Sequence, residues 1–106
     1  MAKFLIEARY TTDGVRGLQS AGGSSRRDAV AKALESAGGS LESFHFGFGD
    51  ADAYVIAEAP DNVTAAAIAI TVNAAGAAHV KTVVLLTPEE VDAAAEKSIS
   101  YTPPGG

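Results

Sequence analysis

The chain has 106 residues, of which 47% are apolar and 20% are charged, and its formal net charge is −5. This size and balance predict one compact domain with a packed core, and they exclude wholesale disorder or two ordinary domains. The net negative charge disfavours nucleic acid as a partner, and the absence of cysteine excludes disulfides, thiolate nucleophiles and thiolate metal sites.

The sequence predicts a cytoplasmic protein with neither a leader nor a membrane span. Its first apolar run, Phe4 to Ile6, ends at Glu7 and is too short for the apolar region of a signal peptide. The longest uncharged stretch, residues 62–80, is rich in alanine and interrupted by polar residues and glycine, so it does not predict a membrane helix. A chain without cysteine also fits a reducing compartment.

The first third of the chain predicts a strand, a loop and a helix. Alternating apolar and polar residues predict a strand over residues 3–10. Residues 11–23 are rich in threonine, serine and glycine and predict a long loop. Ser25 is the predicted N-cap of a helix that reaches Ala37 and ends at the glycine pair 38–39, because glycine readily adopts the left-handed conformation that ends helices.

The middle of the chain predicts a hairpin, a second helix and a further strand. These elements are a hairpin of residues 40–48 and 53–58, a helix between Asp61 and Gly76, and a strand at residues 79–86. The hairpin strands are separated by a tight glycine-containing turn, and the last strand is rich in β-branched residues. The aspartate is the expected N-cap of its helix, and the glycine is the expected stop signal.

The segment Thr87-Pro88-Glu89-Glu90 carries the strongest local signal in the chain. Threonine at the N-cap, proline at N1 and glutamate at N3 predict a capping box and a short third helix over residues 88–97. Replacing the cap by Thr87→Ala is predicted to destabilise the domain by about 1 kcal/mol. Residues 1–98 form the predicted single domain, and residues 99–106 form a flexible tail.

The element order βαββαβ, with one more helix, predicts an α+β fold of the ferredoxin-like kind. Its four strands form one antiparallel sheet with both main helices on one face. The second face of such a sheet is normally polar, but here the strands carry apolar side chains in both directions, among them Leu41, Tyr54, Ile56, Val83 and Leu85. We therefore expect a homodimer or higher oligomer in which a second copy covers this surface.

A set of short motifs, spread over nearly the whole chain, occurs in the order found in one known family. The matching segments are Tyr10-Thr11, Gly14-Val15-Arg16, Arg26-Arg27, Gly38-Gly39, the turn from Gly49 to Asp52, Glu58-Ala59-Pro60-Asp61, Gly76, Thr82 and Thr87-Pro88-Glu89-Glu90. On these motifs the chain resembles the GYD-domain family, related to dimeric α/β-barrel proteins. The resemblance implies a ferredoxin-like fold and a dimer in which two sheets pack face to face, but no particular activity. In the turn that names the family, Ala51 replaces the tyrosine and Asp50 is inserted before it.

Three polar residues on otherwise apolar strands are the candidate catalytic residues: His45, Arg9 and Glu7. If they share a face, His45 could act as a base or proton shuttle, Glu7 could orient it, and Arg9 could stabilise an anion. The alternative, which the sequence favours, is a partly buried histidine satisfied at the dimer interface. Because burial without a partner costs free energy, we predict that His45 faces an internal or interfacial cavity and not bulk solvent.

Other polar groups have simpler interpretations. Asp50 and Asp52 are predicted to be turn residues and not cation ligands, because the spacing of a calcium loop is missing. Residues 22–27 open a helix and could hold an anion, although a flexible loop with a solvated first turn is favoured. His79 and His45 lie on different strands without a third ligand, so neither a metal nor a cofactor is expected.

Three classes of function stay open from the sequence. The first, which we prefer, is a homo-oligomeric module that holds a small organic ligand between sheet and helices. The second is a cofactor-independent enzyme, oxygenase- or isomerase-like, with His45 as base and Arg9 as anion stabiliser. The third is a structural or regulatory oligomer without a small-molecule site. The expected partners are a second copy and a small organic ligand, with neither nucleic acid nor membrane.

Overall fold

A computed structural model describes residues 1–106 and contains four strands and four helices. The elements are β1 (Ala2–Tyr10), α1 (Thr12–Ala21), α2 (Gly23–Ser36), β2 (Ser40–Phe46), β3 (Ala53–Ala59), α3 (Asn62–Ala75), β4 (Ala78–Leu85) and α4 (Pro88–Ala95). The strands form one antiparallel sheet in the order β2-β3-β1-β4. The predicted ferredoxin-like α+β fold is therefore confirmed. No helix has the length and apolar character needed to cross a membrane.

The segment predicted as a long loop contains the helix α1, so that prediction was wrong. The Thr11 side chain caps α1 by accepting the Gly14 N–H at 3.2 Å. The Thr11 N–H also donates to the Ala77 carbonyl at 3.0 Å, which ties the start of α1 to the connection between α3 and β4. The glycines of this segment lower its helix propensity, but the cap and this long-range contact favour the helix.

The start of α2 also differs from the prediction. Gly22, with φ 87°, separates α1 from α2 and supplies no side-chain cap, while Ser25 lies within the helix. The prediction of Ser25 as N-cap was wrong because one residue with positive φ is enough to end α1 and begin α2 at once. The other end agrees with the sequence, since α2 stops just before Gly38, which has φ 82°.

The hairpin loop between β2 and β3 is longer than the predicted turn, and it is tied to β1. Phe48, predicted to end the second strand, lies outside β2 with φ 55°. The Asp52 carboxylate accepts the Tyr10 N–H at 2.9 Å, and the Asp52 N–H donates to the Ala8 carbonyl at 2.8 Å. Asp52 therefore has the structural role in the loop that the sequence favoured.

The caps of α3 and α4 are the ones that the sequence predicts. Asp61 accepts the Thr64 N–H at 2.8 Å. The Thr64 side chain first, and this backbone hydrogen bond second, hold the pKa of Asp61 below its usual value. Gly76 ends α3 in the left-handed conformation. At α4, Thr87 accepts the Glu90 N–H at 3.1 Å, and the Glu90 carboxylate accepts the Thr87 N–H at 2.9 Å. The capping box is confirmed.

Helix α4 is exposed along its whole length, which changes the expected effect of Thr87→Ala. Loss of the hydroxyl removes a cap worth about 1 kcal/mol, but only from α4, so we expect faster amide exchange in α4 and an unchanged denaturant midpoint for the sheet. The matched control is Asp61→Ala, which removes the cap of α3. Helix α3 contributes buried Ala65 to the core, so this variant should lower the midpoint. A lower midpoint for Thr87→Ala would mean that α4 is docked on the domain.

The core between the sheet and the helices is small. Ten residues are buried, and only Phe4, Leu34 and Val55 among them have large side chains; the others are alanines. Val30 and Ile68 pack against this core from α2 and α3, which both lie on the same face of the sheet. Because alanine buries little apolar area, a single copy gains little hydrophobic stabilisation.

Candidate functional site

A cavity of about 180 Å³ lies between the sheet and the helices α2 and α3. Its lining is almost entirely apolar and includes Ile6, Val30, Leu34, Val55, Ile68 and Val72. Alternate residues of a strand point to the same face, so side chains from β1, β3 and β4 form the floor while the two helices form the roof. The space is therefore part of the core side of the sheet.

Alanine is the reason that this space exists. Ala8, Ala53 and Ala78 contribute from the strands, and Ala33 and Ala69 contribute from the helices. Larger apolar side chains at these positions would reach across the gap and fill it, as interiors normally are filled. A cavity that stays open loses both packing contacts and hydrophobic stabilisation, which a bound apolar molecule could restore.

The polar residues of the cavity are Arg26, Tyr10 and Thr82. Arg26 and Tyr10 also line an adjoining cleft formed mainly by α1 and α2, so both lie where the two spaces meet. The Arg26 Nε is buried and has no hydrogen-bond partner. Arg26 also takes no part in an ion pair, since the two ion pairs of the protein are Lys3–Glu42 and Arg27–Asp28. The cavity thus combines an apolar body with one arginine that has no carboxylate partner.

The predicted site residues lie on the opposite face of the sheet, which no helix covers. We call this surface the open face; it comprises Lys3, Leu5, Glu7 and Arg9 of β1, Tyr54, Ile56 and Glu58 of β3, His79, Lys81, Val83 and Leu85 of β4, and Ser43 and His45 of β2. The strand register places Ile56, Leu5 and Val83 side by side. An apolar row therefore crosses the middle of the open face.

A polar row runs beside the apolar one and contains two of the predicted residues. Tyr54 pairs with both His45 and Glu7, and Glu7 pairs with Lys81 on its other side. His45 and Glu7 are therefore separated by a strand, or roughly 10 Å between backbones. The Arg9 guanidinium donates to the Asp50 carbonyl in the hairpin loop.

The structure thus brings the three predicted residues to one face but not into the cavity. None of His45, Arg9 and Glu7 lines it, and the His45 side chain is exposed in a single copy. An internal cavity around His45 is absent from the single chain, whereas its interfacial position stays a prediction. No group of three histidine, aspartate or glutamate side chains has the arrangement of a metal site.

The cavity-lining residue that sequence reasoning underestimated is Arg26. It was interpreted as part of a solvated helix start together with Arg27. The available signal was helical spacing, because Arg26 precedes Val30 by four residues and Leu34 by eight and therefore shares their face of α2.

The fold and the uncovered sheet define the class: a single α+β domain with ferredoxin-like topology, helices on one face of the sheet and an open second face. The chain belongs to the GYD-domain family, whose sequence profile matches residues 4–95. The match extends from β1 to the end of α4 and confirms the resemblance drawn from the short motifs. No curated protein and no solved structure matches the chain.

Proposed function

We propose that this protein is a homo-oligomeric module that binds a small organic ligand in the cavity between the sheet and the helices. The observation that carries the proposal is the cavity itself, with its apolar lining and with Arg26 and Tyr10 where it meets the adjoining cleft. Binding sites for small molecules commonly have this composition. A cavity of about 150 Å³ in another protein holds benzene, so this slightly larger space suits a molecule of one ring or a comparable branched chain.

Two alternatives have less support. A cofactor-independent enzyme would need a base beside its substrate, but the cavity is lined by neither histidine of the chain. Its reaction would have to take place on the open face, around His45, Arg9 and Glu7. A purely structural oligomer would be expected to fill the space with its own aromatic and branched side chains. Phe44 and Ile68 do line the cavity, yet they leave it open.

The proposed partner is a second copy, with the two open faces packed against each other. Support comes from the apolar row of Ile56, Leu5 and Val83, which a single copy leaves without a covering layer. The small alanine-rich core points the same way, because association adds the apolar burial that one copy lacks. In such a dimer the partner would also cover His45. We propose a cytoplasmic location, with which a chain free of cysteine is compatible.

Ala69→Leu is expected to abolish binding of a neutral apolar probe. Ala69 lines the cavity from α3, so the larger side chain occupies the space that the probe needs. Toluene serves as the probe, and its binding is followed through NMR shifts of Val55 and Ile68. The matched control is Ala66→Leu, the same change at an exposed position of α3 outside the cavity.

We expect saturable toluene shifts in the wild type and in Ala66→Leu, and affinity at least about tenfold weaker in Ala69→Leu, since misfit in a filled space costs roughly 1–3 kcal/mol. Two results would overturn the proposed site. One is the absence of cavity shifts in the wild type, and the other is equal toluene affinity for the two leucine variants.

A further inference from the structure

We infer that the ligand of the cavity carries a single carboxylate and that Arg26 binds it. The inference rests on the proposed binding function and adds its chemical class: a small aromatic or branched aliphatic carboxylic acid. The carboxylate would lie at the end of the cavity where it meets the cleft between α1 and α2, and the apolar part would extend toward Val55 and Ile68.

The first argument is the unsatisfied donor. The Arg26 Nε is buried without an acceptor, and an unmade hydrogen bond at a buried group costs about 1–3 kcal/mol. Arginine stays protonated at all physiological pH values and offers five N–H donors in a planar fork. A carboxylate presents two oxygens in the matching geometry, so it can accept from two nitrogens of the Arg26 guanidinium together once the side chain turns Nε toward the cavity.

The second argument is the charge balance around Arg26. No carboxylate lines the cavity, in which Arg26 is the one charged residue. Asp13 lines the adjoining cleft, but it makes no ion pair with Arg26. A cation next to apolar walls is stabilised by an anion that enters the same space. Tyr10 lines both spaces, so its hydroxyl can also donate to such an anion, whereas Thr82 lies farther along the sheet, opposite Ile6.

The third argument selects among anions. A phosphate group carries up to two charges at neutral pH and is usually held by several cationic or backbone donors. Here one arginine lines the space, and the remaining lining is nearly all apolar. A singly charged head on an apolar body matches both properties. With about 180 Å³ available, the apolar part is close to one ring in size.

The test compares benzoate with benzyl alcohol, a neutral molecule of similar size, in NMR titrations at neutral pH. The variants are Arg26→Gln and, as matched control, Arg27→Gln. Arg27 is the adjacent residue, lies outside the cavity and pairs with Asp28 at 3.3 Å. Both variants change the net charge by the same amount. A difference in benzoate affinity between them therefore reports direct contact at the cavity and not long-range attraction. Arg26→Lys keeps the charge but not the planar fork.

We expect the wild type and Arg27→Gln to bind benzoate at least tenfold more tightly than benzyl alcohol. In Arg26→Gln the benzoate affinity should fall by about tenfold or more, which corresponds to a lost charged hydrogen bond, while the benzyl alcohol affinity stays the same. Arg26→Lys should lie between the two. Amide spectra establish that each variant is folded, and if Arg26→Gln is not, the comparison of Arg26→Lys with Arg27→Gln takes its place, with weaker benzoate binding expected only in Arg26→Lys.

The two proposals fail in different ways. If toluene and benzyl alcohol bind in the cavity but benzoate binds no better, the carboxylate assignment is wrong and the binding function stands. Equal losses of benzoate affinity in Arg26→Gln and Arg27→Gln would also overturn the assignment, since general electrostatics would then explain the preference. If none of the three probes shifts the cavity residues of the wild type, the binding function itself is wrong.

Discussion

Gly14→Ala is expected to destabilise the domain severely, whereas Gly17→Ala, in the same helix, is expected to stabilise it. A β-carbon at position 14 would overlap the Ala77 carbonyl oxygen and would also lie 3.2 Å from the Tyr10 β-carbon. The clash is with backbone, which cannot rotate away as a side chain does. The Ala77 carbonyl also accepts the Thr11 N–H at 3.0 Å, so moving it would break the anchor of α1.

Such a clash should cost about 3 kcal/mol or more, at the upper end of overpacking effects. That is a large part of the roughly 5–15 kcal/mol by which a domain is normally stable. Gly17 has open space where a β-carbon would be, and alanine in a helix is favoured over glycine by about 0.5–1 kcal/mol. Urea denaturation of both variants measures the two effects. Similar midpoints for the two would show that α1 does not press against the Ala77 backbone.

The contrast between Gly14 and Gly17 shows which parts of the fold the sequence could predict. The Asp61 cap, the Gly76 stop, the Thr87 capping box and the alternation in β1, β3 and β4 are local signals that the structure confirms. In β2 a bulge after Leu41 places that side chain on the helix side with Phe44, so the prediction of Leu41 on the second face was wrong. Gly14 looks locally like a loop residue, although its role is to let α1 approach the backbone at Ala77. That contact joins residues more than sixty positions apart, so no local pattern in the sequence reveals it.

The same distinction applies to the candidate sites. Period-two alternation places Glu7 and Arg9 on one face of β1, but it leaves open whether His45 of β2 shares that face, which only the strand register settles. The cavity could not be predicted in this way. The cavity is the space that alanines of several strands and two helices leave unfilled. Its volume depends on the distance between those strands and helices. Helical spacing indicates that Arg26 shares a face of α2 with Val30, but only the structure shows the cavity beside that face.

Val83→Glu is expected to convert a dimer into monomers. Val83 lies at the end of the apolar row formed with Leu5 and Ile56, and it is 43% exposed in a single copy. A glutamate there is solvated in the monomer, so the fold itself should tolerate it. Between two packed open faces the same carboxylate would be desolvated beside the partner's apolar row, which costs several kcal/mol when no cation is close enough to pair with it. Lys81 lies on the same face of β4 two residues away, roughly 7 Å along the strand, so it can offset only part of this cost.

The matched control is Val84→Glu, because adjacent residues of a strand point to opposite faces. Val84 is 51% exposed and is outside the open face, so it receives the same charge on the same edge strand without entering the proposed interface. Light scattering coupled to gel filtration at micromolar concentration should give a dimer mass for the wild type and Val84→Glu, and a monomer mass for Val83→Glu. The dissociation constant should rise at least about a hundredfold, equivalent to some 2.7 kcal/mol.

A wild-type monomer at this concentration would overturn the face-to-face dimer and would count against the relation to dimeric α/β barrels. Dissociation by Val84→Glu, with Val83→Glu still dimeric, would instead place the interface on the helical side of the sheet.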